Sequence, residues 1–268
     1  MSDDFVRKYG PWAVVAGSVQ GIGRAFCREL SGRGLSVIAI DVREAELHAL
    51  ADSARAAGGE VDPVVVDLAH DDAAEHVVSA IGARDVGLLV YCAAHIPAGR
   101  FVDEAASSHA RALAVNARTP LLLTHALAAR MRSRGRGGIV LVSSMAALQG
   151  TGWVATYAGT KAFEMILAES LWWELRGDGV DVLAILPGAT DTEGLRRNSP
   201  YIDDPSALGK PEEVAAEALQ FLGRGPSLVC GEANRALAEA MRSLPREQAI
   251  DMMSSGTRLM AEGPGKKE

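Results

Sequence analysis

Tyr157 and Lys161 stand four residues apart in YAGTKAF, with only alanine, glycine and threonine between them. On a helix those two positions share a face, so a phenol and an ammonium can open into one cleft. A free phenol, with a pKa near ~10, is a poor base at neutral pH. Lowering it by about three units takes about 4 kcal/mol of preference for the tyrosinate. An ammonium about 4 Å away supplies about that much at an effective dielectric of about 20. The pair can therefore carry a proton to or from an oxygen. Taken alone it also fits an ordinary exposed polar pair, and the elements around it must decide.

The runs WAVVAG, SVIAID, PVVVDL, GLLVYCAA, GIVLVSS and VDVLAILPG are continuously apolar rather than alternating. Strands buried on both faces of a parallel sheet read that way. Helical stretches separate them. GRAFCRELSGRG stops at glycines, and REAELHALADSARAAGG places Leu47, Leu50, Ala51 and Ala54 on one stripe. DDAAEHVVSAIG opens with acids that complement the helix dipole. Strand–helix–strand repetition predicts an α/β fold, a doubly wound parallel sheet with helices on both faces in a three-layer αβα sandwich. No linker interrupts it, so residues 1–268 read as one domain, with 235–268 a C-terminal helical extension and disordered tail.

The chain carries 27 basic and 34 acidic residues, a net charge of −7. That balance disfavours nucleic acid, whose phosphates call for a basic face. The start, MSDDFVRKYG, lacks the apolar core of a secretory signal. PLLLTHALAARM is broken by His125 and Arg130, so no membrane span is expected. Cys27, Cys92 and Cys230 are widely spaced and the histidines scattered, which predicts neither a disulfide framework nor a metal. The expected location is cytoplasmic.

The first strand runs into AGSVQGIGRAF, where Gly17, Gly21 and Gly23 lie between strand and helix. Bare backbone there lets a pyrophosphate approach the amides of a helix N-terminus. The second strand ends in Asp41, 18 residues beyond Gly23, where an acid accepts ribose hydroxyls and repels a 2′-phosphate. One like-charge pair at about 4 Å costs about 4 kcal/mol before screening, so NAD is expected over NADP. Arg43 is close enough in sequence to swing toward a phosphate and moderate that preference.

In order and spacing these motifs resemble the short-chain dehydrogenase/reductase family over roughly residues 10–230. AGSVQGIG is similar to the family's TGxxxGxG, with Ala16 replacing threonine, and VDL at Asp67–Leu68 to its third-strand end. GGIVLVSS, YAGTK and PGATDT resemble its serine strand, its YxxxK and its PGxxxT. The resemblance implies a single Rossmann-fold domain and an NAD(P)-dependent oxidoreductase that moves hydride between a nicotinamide cofactor and a secondary alcohol or ketone. It implies a catalytic set of Asn116, Ser144, Tyr157 and Lys161. Tyr157 would exchange the hydroxyl proton, while Lys161 would lower the phenol's pKa and hold the nicotinamide ribose. Ser144, thirteen residues before Tyr157, would hydrogen-bond the substrate oxygen, and the main chain of Asn116 would hold a water linked to the lysine. Ser143 reads as structural or cofactor-facing. The cofactor would lie against Gly17, Ser18, Gln20, Gly21, Ile22 and Gly23, then Asp41, Val42, Asp67 and Leu68. It would continue past Cys92, Ala93 and Ala94 to Tyr157, Lys161, Pro187, Gly188, Thr190 and Thr192. Gln20 and Val42 stand where NADP enzymes of the family often carry basic residues, in agreement with NAD. YCAA, Tyr91–Ala94, departs from the family's NNAG and adds a methyl at Ala94 where the chain turns close to the cofactor. Cys92 is expected to be an inert buried thiol.

The stretch ATDTEGLRRNSPYIDDPSALGKPEEV lies where such enzymes build a substrate lid, and it carries Arg196, Arg197 and Tyr201. Trp153 and Leu148 are expected to wall the pocket. KAFEMILAESLWWEL and HARALAVNARTPLLLTHALAARM hold more apolar surface than one core-facing stripe needs, and the resemblance implies a homodimer or homotetramer. In the extension, Ala236, Leu237, Ala240, Met241 and Leu244 form a helical stripe. It would cap the pocket, cross to a partner or lie on a membrane, and its nearly balanced charge favours packing against protein. EGPGKKE reads as disordered. The glycine spacing disfavours a sugar-nucleotide epimerase. A non-catalytic NAD-binding sensor or scaffold on the same fold is the alternative, with YCAA in its favour.

Overall fold

The computed structural model describes residues 2–202, 204, 206 and 208–262. Residues 263–268, most of the stretch expected to be disordered, lie outside them. Strands and helices follow in the order α1 (Ser2–Tyr9), β1 (Trp12–Ala16), α2 (Gly21–Gly32), β2 (Ser36–Asp41), α3 (Glu44–Ala56), β3 (Val61–Val65), α4 (Ala73–Ile81) and β4 (Val86–Tyr91). They continue with α5 (Ala106–Leu113), α6 (Thr119–Arg134), β5 (Gly137–Val142), α7 (Ala155–Leu175), β6 (Val180–Leu186) and α8 (Glu193–Asn198). The chain closes with α9 (Pro211–Phe221), β7 (Ser227–Val229), α10 (Glu232–Ser243) and α11 (Arg246–Glu262). All strands pair in parallel, in the order β3-β2-β1-β4-β5-β6-β7.

Successive strand residues point to opposite faces, and each face has its own helices. Val15, Ala39 and Val90 pack against Phe26 of α2, Leu47 of α3 and Ala215 of α9. Val14, Ile38 and Leu89 pack against Val77 of α4, Leu127 of α6 and Ala168 of α7. This is the expected three-layer sandwich. The strand order reverses between β1 and β4, and doubly wound sheets bind ligands in the crevice outside the strand ends at such a reversal.

β3 departs from the expectation drawn from PVVVDL. It pairs with β2 alone, and Val65 is 48% exposed. An edge also suits Pro63, because a missing N–H on the open side leaves no ladder bond unmade. The apolar run outlasts the strand because Val66 and Leu68 line the cleft instead. Helix α1 had no sequence expectation. It is anchored by Tyr9, whose hydroxyl donates to Asp181 Oδ2 at 2.5 Å.

The extension folds back over the strand ends, where Met253, Thr257, Met260 and Ala261 of α11 line the cleft while α10 packs beside it. On α10 the buried residues are Ala238 and Met241, whereas Leu237 is 39% exposed, so the packed face is rotated from the expected stripe. Asn234 sets that rotation by donating to the Cys230 carbonyl at 2.7 Å. Ser254 on α11 accepts from Gly152 N–H at 2.8 Å, Arg246 donates to the Leu148 carbonyl at 2.9 Å, and Met260 O accepts from Tyr201 N–H at 3.2 Å. Among the described residues no helix is long and apolar enough to cross a membrane.

Backbone contact at the strand reversal is close enough to forbid side chains. A Cβ on Gly23 would lie 1.9 Å from the Gly17 carbonyl oxygen, and one on Gly17, at φ +78°, would lie 2.6 Å from the Ala93 nitrogen. Overpacking of this kind destabilises by about 1–3 kcal/mol. Gly23→Ala is therefore expected to lower Tm by roughly 2–10 °C in a thermal melt. Gly256→Ala, in open space on α11, is expected to leave Tm unchanged or raise it slightly.

Candidate active site

One cleft of about 480 Å³ runs along the carboxyl ends of the strands. Beyond β2 and β3 it is lined by Asp41, Val42, Asp67 and Leu68; at the reversal by Gly17, Gln20, Gly21, Ile22, Gly23, Cys92, Ala93 and Ala94. Beyond β5 and β6, and on α7, the lining is Ser144, Tyr157, Lys161, Pro187, Gly188, Thr190 and Thr192. Two of the expected catalytic and cofactor-binding residues do not line it. Ser18 is fully buried and its hydroxyl turns inward to donate to the Ile40 carbonyl at 3.1 Å. Asn116 lies behind the wall.

Tyr157 and Lys161 share one face of α7, as their spacing predicts, with the ammonium 5.7 Å from the phenol ring centroid. Lys161 is only 1% exposed. Its Nζ donates to the Val142 carbonyl and to Glu164 Oε2, both at 2.8 Å. Burial alone would push the ammonium's pKa down, but Glu164 and Tyr157 hold it above the ordinary lysine value. Desolvation pushes the Glu164 carboxyl up to about 7, only partly offset by Lys161. Ser144 follows β5 and caps a short turn, its Oγ accepting from Ala146 N–H at 3.2 Å, and it lines the cleft. Ser143 is structural, donating to the Lys161 carbonyl at 2.7 Å.

Asn116 sits in a single π-helical turn, Ala114–Arg118, between α5 and α6. Its side chain accepts from His95 N–H at 2.8 Å and donates to the His95 carbonyl at 2.9 Å and to Thr160 Oγ1 at 3.0 Å. Thr160 in turn donates to the Tyr157 carbonyl at 2.8 Å. The contacts thus run through the asparagine side chain, which fastens the segment after β4 to the tyrosine turn. Cys92 is half-buried and lines the cleft rather than being fully buried as expected, while desolvation pushes its thiol pKa up.

The residues present fit a nicotinamide dinucleotide. Glycine amides at the start of α2 offer donors to a pyrophosphate, and no side chain on Gly17, Gly21 or Gly23 obstructs them. The carboxylates nearby are already engaged. Asp41 accepts from Arg43 Nε at 3.0 Å and Nη2 at 3.1 Å, and from Val42 N–H at 2.9 Å. Asp67 accepts from Ala69 N–H at 3.0 Å and Arg111 at 2.9 Å. Against the upward push of partial burial, these two donors hold its carboxyl below the usual range. Glu193 Oε2 accepts from Gly21 N–H at 3.2 Å while Oε1 takes Arg24 at 2.9 Å, so a carboxylate rests on the N-terminus of α2.

Away from the glycines the wall is mixed: Ile96, Trp153, Val154, Leu195, Met253 and Met260 give an apolar face, beside Arg197, Asn198, Ser199 and Thr257. Trp153 lines it as expected, at φ +64°, with its carbonyl accepting from Gly99 N–H at 2.8 Å. Leu148 does not line it; it packs into the core beneath. Arg197 lines the cleft, while Arg196 is held by Asp191 at 2.7 Å. Sequence reasoning missed Glu164, Glu193, Arg111, His95 and the α11 wall. Only Glu164 gave a local signal, an acid three residues after Lys161 inside an apolar run.

The profile of the short chain dehydrogenase family matches residues 11–201. A 7beta-hydroxysteroid dehydrogenase of Collinsella aerofaciens is 33% identical over 234 residues, covering 85% of this chain and 89% of that enzyme. A solved 7beta-hydroxysteroid dehydrogenase superposes with a TM-score of 0.87 at 30% identity, over 93% of this chain and 98% of the other. A short-chain dehydrogenase from Sphingobium yanoikuyae in complex with NADPH superposes at 0.76 with 26% identity, over 91% and 100% of the two chains.

The Glu193 carboxylate would repel a pyrophosphate at the same amides. Charges at a helix N-terminus are worth about 0.3–1 kcal/mol. Glu193→Gln is expected to tighten NADH binding about two- to fivefold in a fluorescence titration, and unchanged or weaker binding would count against the repulsion.

Proposed function

The chain belongs to the short-chain dehydrogenase family and is a nicotinamide-dependent oxidoreductase of alcohol and carbonyl compounds; on that premise we propose that Tyr157 exchanges the proton of the substrate oxygen, and that the substrate is a bulky apolar secondary alcohol of the hydroxysteroid kind. The observation that carries the reading is the meeting of Ser144, Tyr157 and Lys161 in the cleft that the glycine turn also lines. Apolar walls contributed by Trp153, Met253 and Met260 support a large, greasy substrate. So does the similarity to 7beta-hydroxysteroid dehydrogenases.

In oxidation the hydroxyl proton passes to the Tyr157 oxygen as the carbonyl forms, and in reduction the phenol returns it. The Ser144 hydroxyl donates to the same oxygen while negative charge gathers there. Lys161 favours the tyrosinate, and Asn116 steadies that helix turn through Thr160. The cofactor, when bound, supplies the hydride chemistry. The non-catalytic sensor reading has no support beyond YCAA, since all four proposed catalytic residues are present and Asn116 is tied to the Tyr157 turn through Thr160.

NAD is the proposed preference, carried by the Asp41 carboxylate at the end of β2. A second reading has its own observation: Arg43 already lies across Asp41, and turned outward it would meet a 2′-phosphate. We further propose a homodimer or homotetramer in the cytoplasm, the contact formed by the exposed apolar side chains Leu113, Phe163, Ile166 and Trp173 on α5 and α7.

Two measurements test these readings. Tyr157→Phe is expected to lose about 10²–10⁴-fold in turnover of a 7β-hydroxysteroid while NADH binding is unchanged; native rates in that variant would remove Tyr157 from the role. In parallel titrations NADH is expected to bind about tenfold tighter than NADPH, a difference of about 1.4 kcal/mol. Asp41→Ala should erase that gap and Arg43→Ala widen it; equal affinities in the native protein would favour the second reading.

A further inference from the structure

Glu164 is fully buried in the otherwise apolar run AFEMILA. Oε2 takes the Lys161 ammonium at 2.8 Å, and Oε1 is buried with no hydrogen-bond partner. An orphaned buried carboxylate oxygen is destabilising, and apolar residues in place of such a pair are often as stable or more so. Stability alone therefore gives no reason for an acid here, which points to a role in the site.

The groups around the pair are few. Tyr157 faces Lys161 from the same helix. From β4 come the Tyr91 phenol, which donates to the Val115 carbonyl at 2.5 Å, and, just after it, the Cys92 thiol. Burial holds both neutral. β5 contributes the Val142 carbonyl. Among the described residues Glu164 is the carboxylate that acts on Lys161.

We propose that Glu164 is a positioning residue for Lys161: it pins the ammonium beside the Val142 carbonyl and, by countering its charge, sets how readily the Tyr157 phenol releases its proton. This rests on Tyr157 being the proton-exchanging group.

Glu164→Gln keeps the length and an accepting oxygen but removes the charge. Tyrosinate absorbance, taken as the difference from a Tyr157→Phe partner in each background, is expected to grow in about one pH unit lower in Glu164→Gln than in the native protein. The acidic limb of kcat/KM for NAD-linked oxidation of a 7β-hydroxysteroid is expected to move with it. Glu164→Asp, which keeps the charge, should leave band and limb in place while lowering kcat/KM. Glu164→Met, apolar and of similar length, gives the same sign and serves if the glutamine variant does not fold. A band that stays put or moves to higher pH overturns the inference, because a merely structural ion pair would change Tm alone. The band is read without turnover, so the two ideas fail separately. An active enzyme with an unmoved band removes only the role of Glu164, whereas native turnover in Tyr157→Phe removes the reading beneath it.

Discussion

A charged ammonium fixed inside the protein is the constraint around which the site is arranged. Burying an ion costs several kcal/mol even after relaxation, unless partners meet it in good geometry. Lys161 has such partners because β5 ends where its last carbonyl, from Val142, faces α7, and because Glu164 lies three residues further along that helix. Ser143 ties the same strand end to the lysine's own carbonyl. The first residue free of these ties is Ser144, and the first polar side chain one turn back along the helix face is Tyr157. Placement of the two groups that would touch a substrate thus follows from how the lysine is held.

At the other end of the cleft the chain meets its own charges. Asp41 is clasped by Arg43, Asp67 by Arg111, and Glu193 by Arg24 and the Gly21 amide. A dinucleotide entering this end exchanges contacts rather than adding them, and only the difference between old and new partners contributes to affinity. Asp41 and Arg43 would then oppose each other in the proposed choice between the two cofactors.

The sheet was legible because both-face burial writes itself as unbroken apolar runs, and β1, β2, β4, β5 and β6 are buried almost throughout. β3 misled for a physical reason: hydrophobicity records cleft walls such as Val66 and Leu68 as well as core. The glycines were legible, but their cause is wider than ligand approach, since Gly23 and Gly17 are required by contact between chain segments. Tyr157 and Lys161 were legible from local spacing, whereas Ser144 was legible only through the family resemblance. Glu193 and Arg111 were not, because they reach the cleft through tertiary folding from segments with no pattern of their own. The face of α10 stayed ambiguous because a run of alanines fits more than one stripe, and Asn234 made the choice.

The Glu164 contact changes the electrostatic argument that the spacing of Tyr157 and Lys161 first suggested. A lone ammonium about 4 Å from a phenol would favour its anion by about 4 kcal/mol at an effective dielectric of about 20. With a carboxylate 2.8 Å from the same nitrogen, the phenol faces a dipole, whose field falls off faster than that of a charge. The ammonium alone therefore supplies only part of that preference. On the proposed mechanism, Ser144 and the positive charge that an oxidised cofactor brings would supply the rest. In the proposed mechanism, proton exchange would then gain most of its drive once the cofactor is in place, which would couple the chemistry to prior filling of the glycine end.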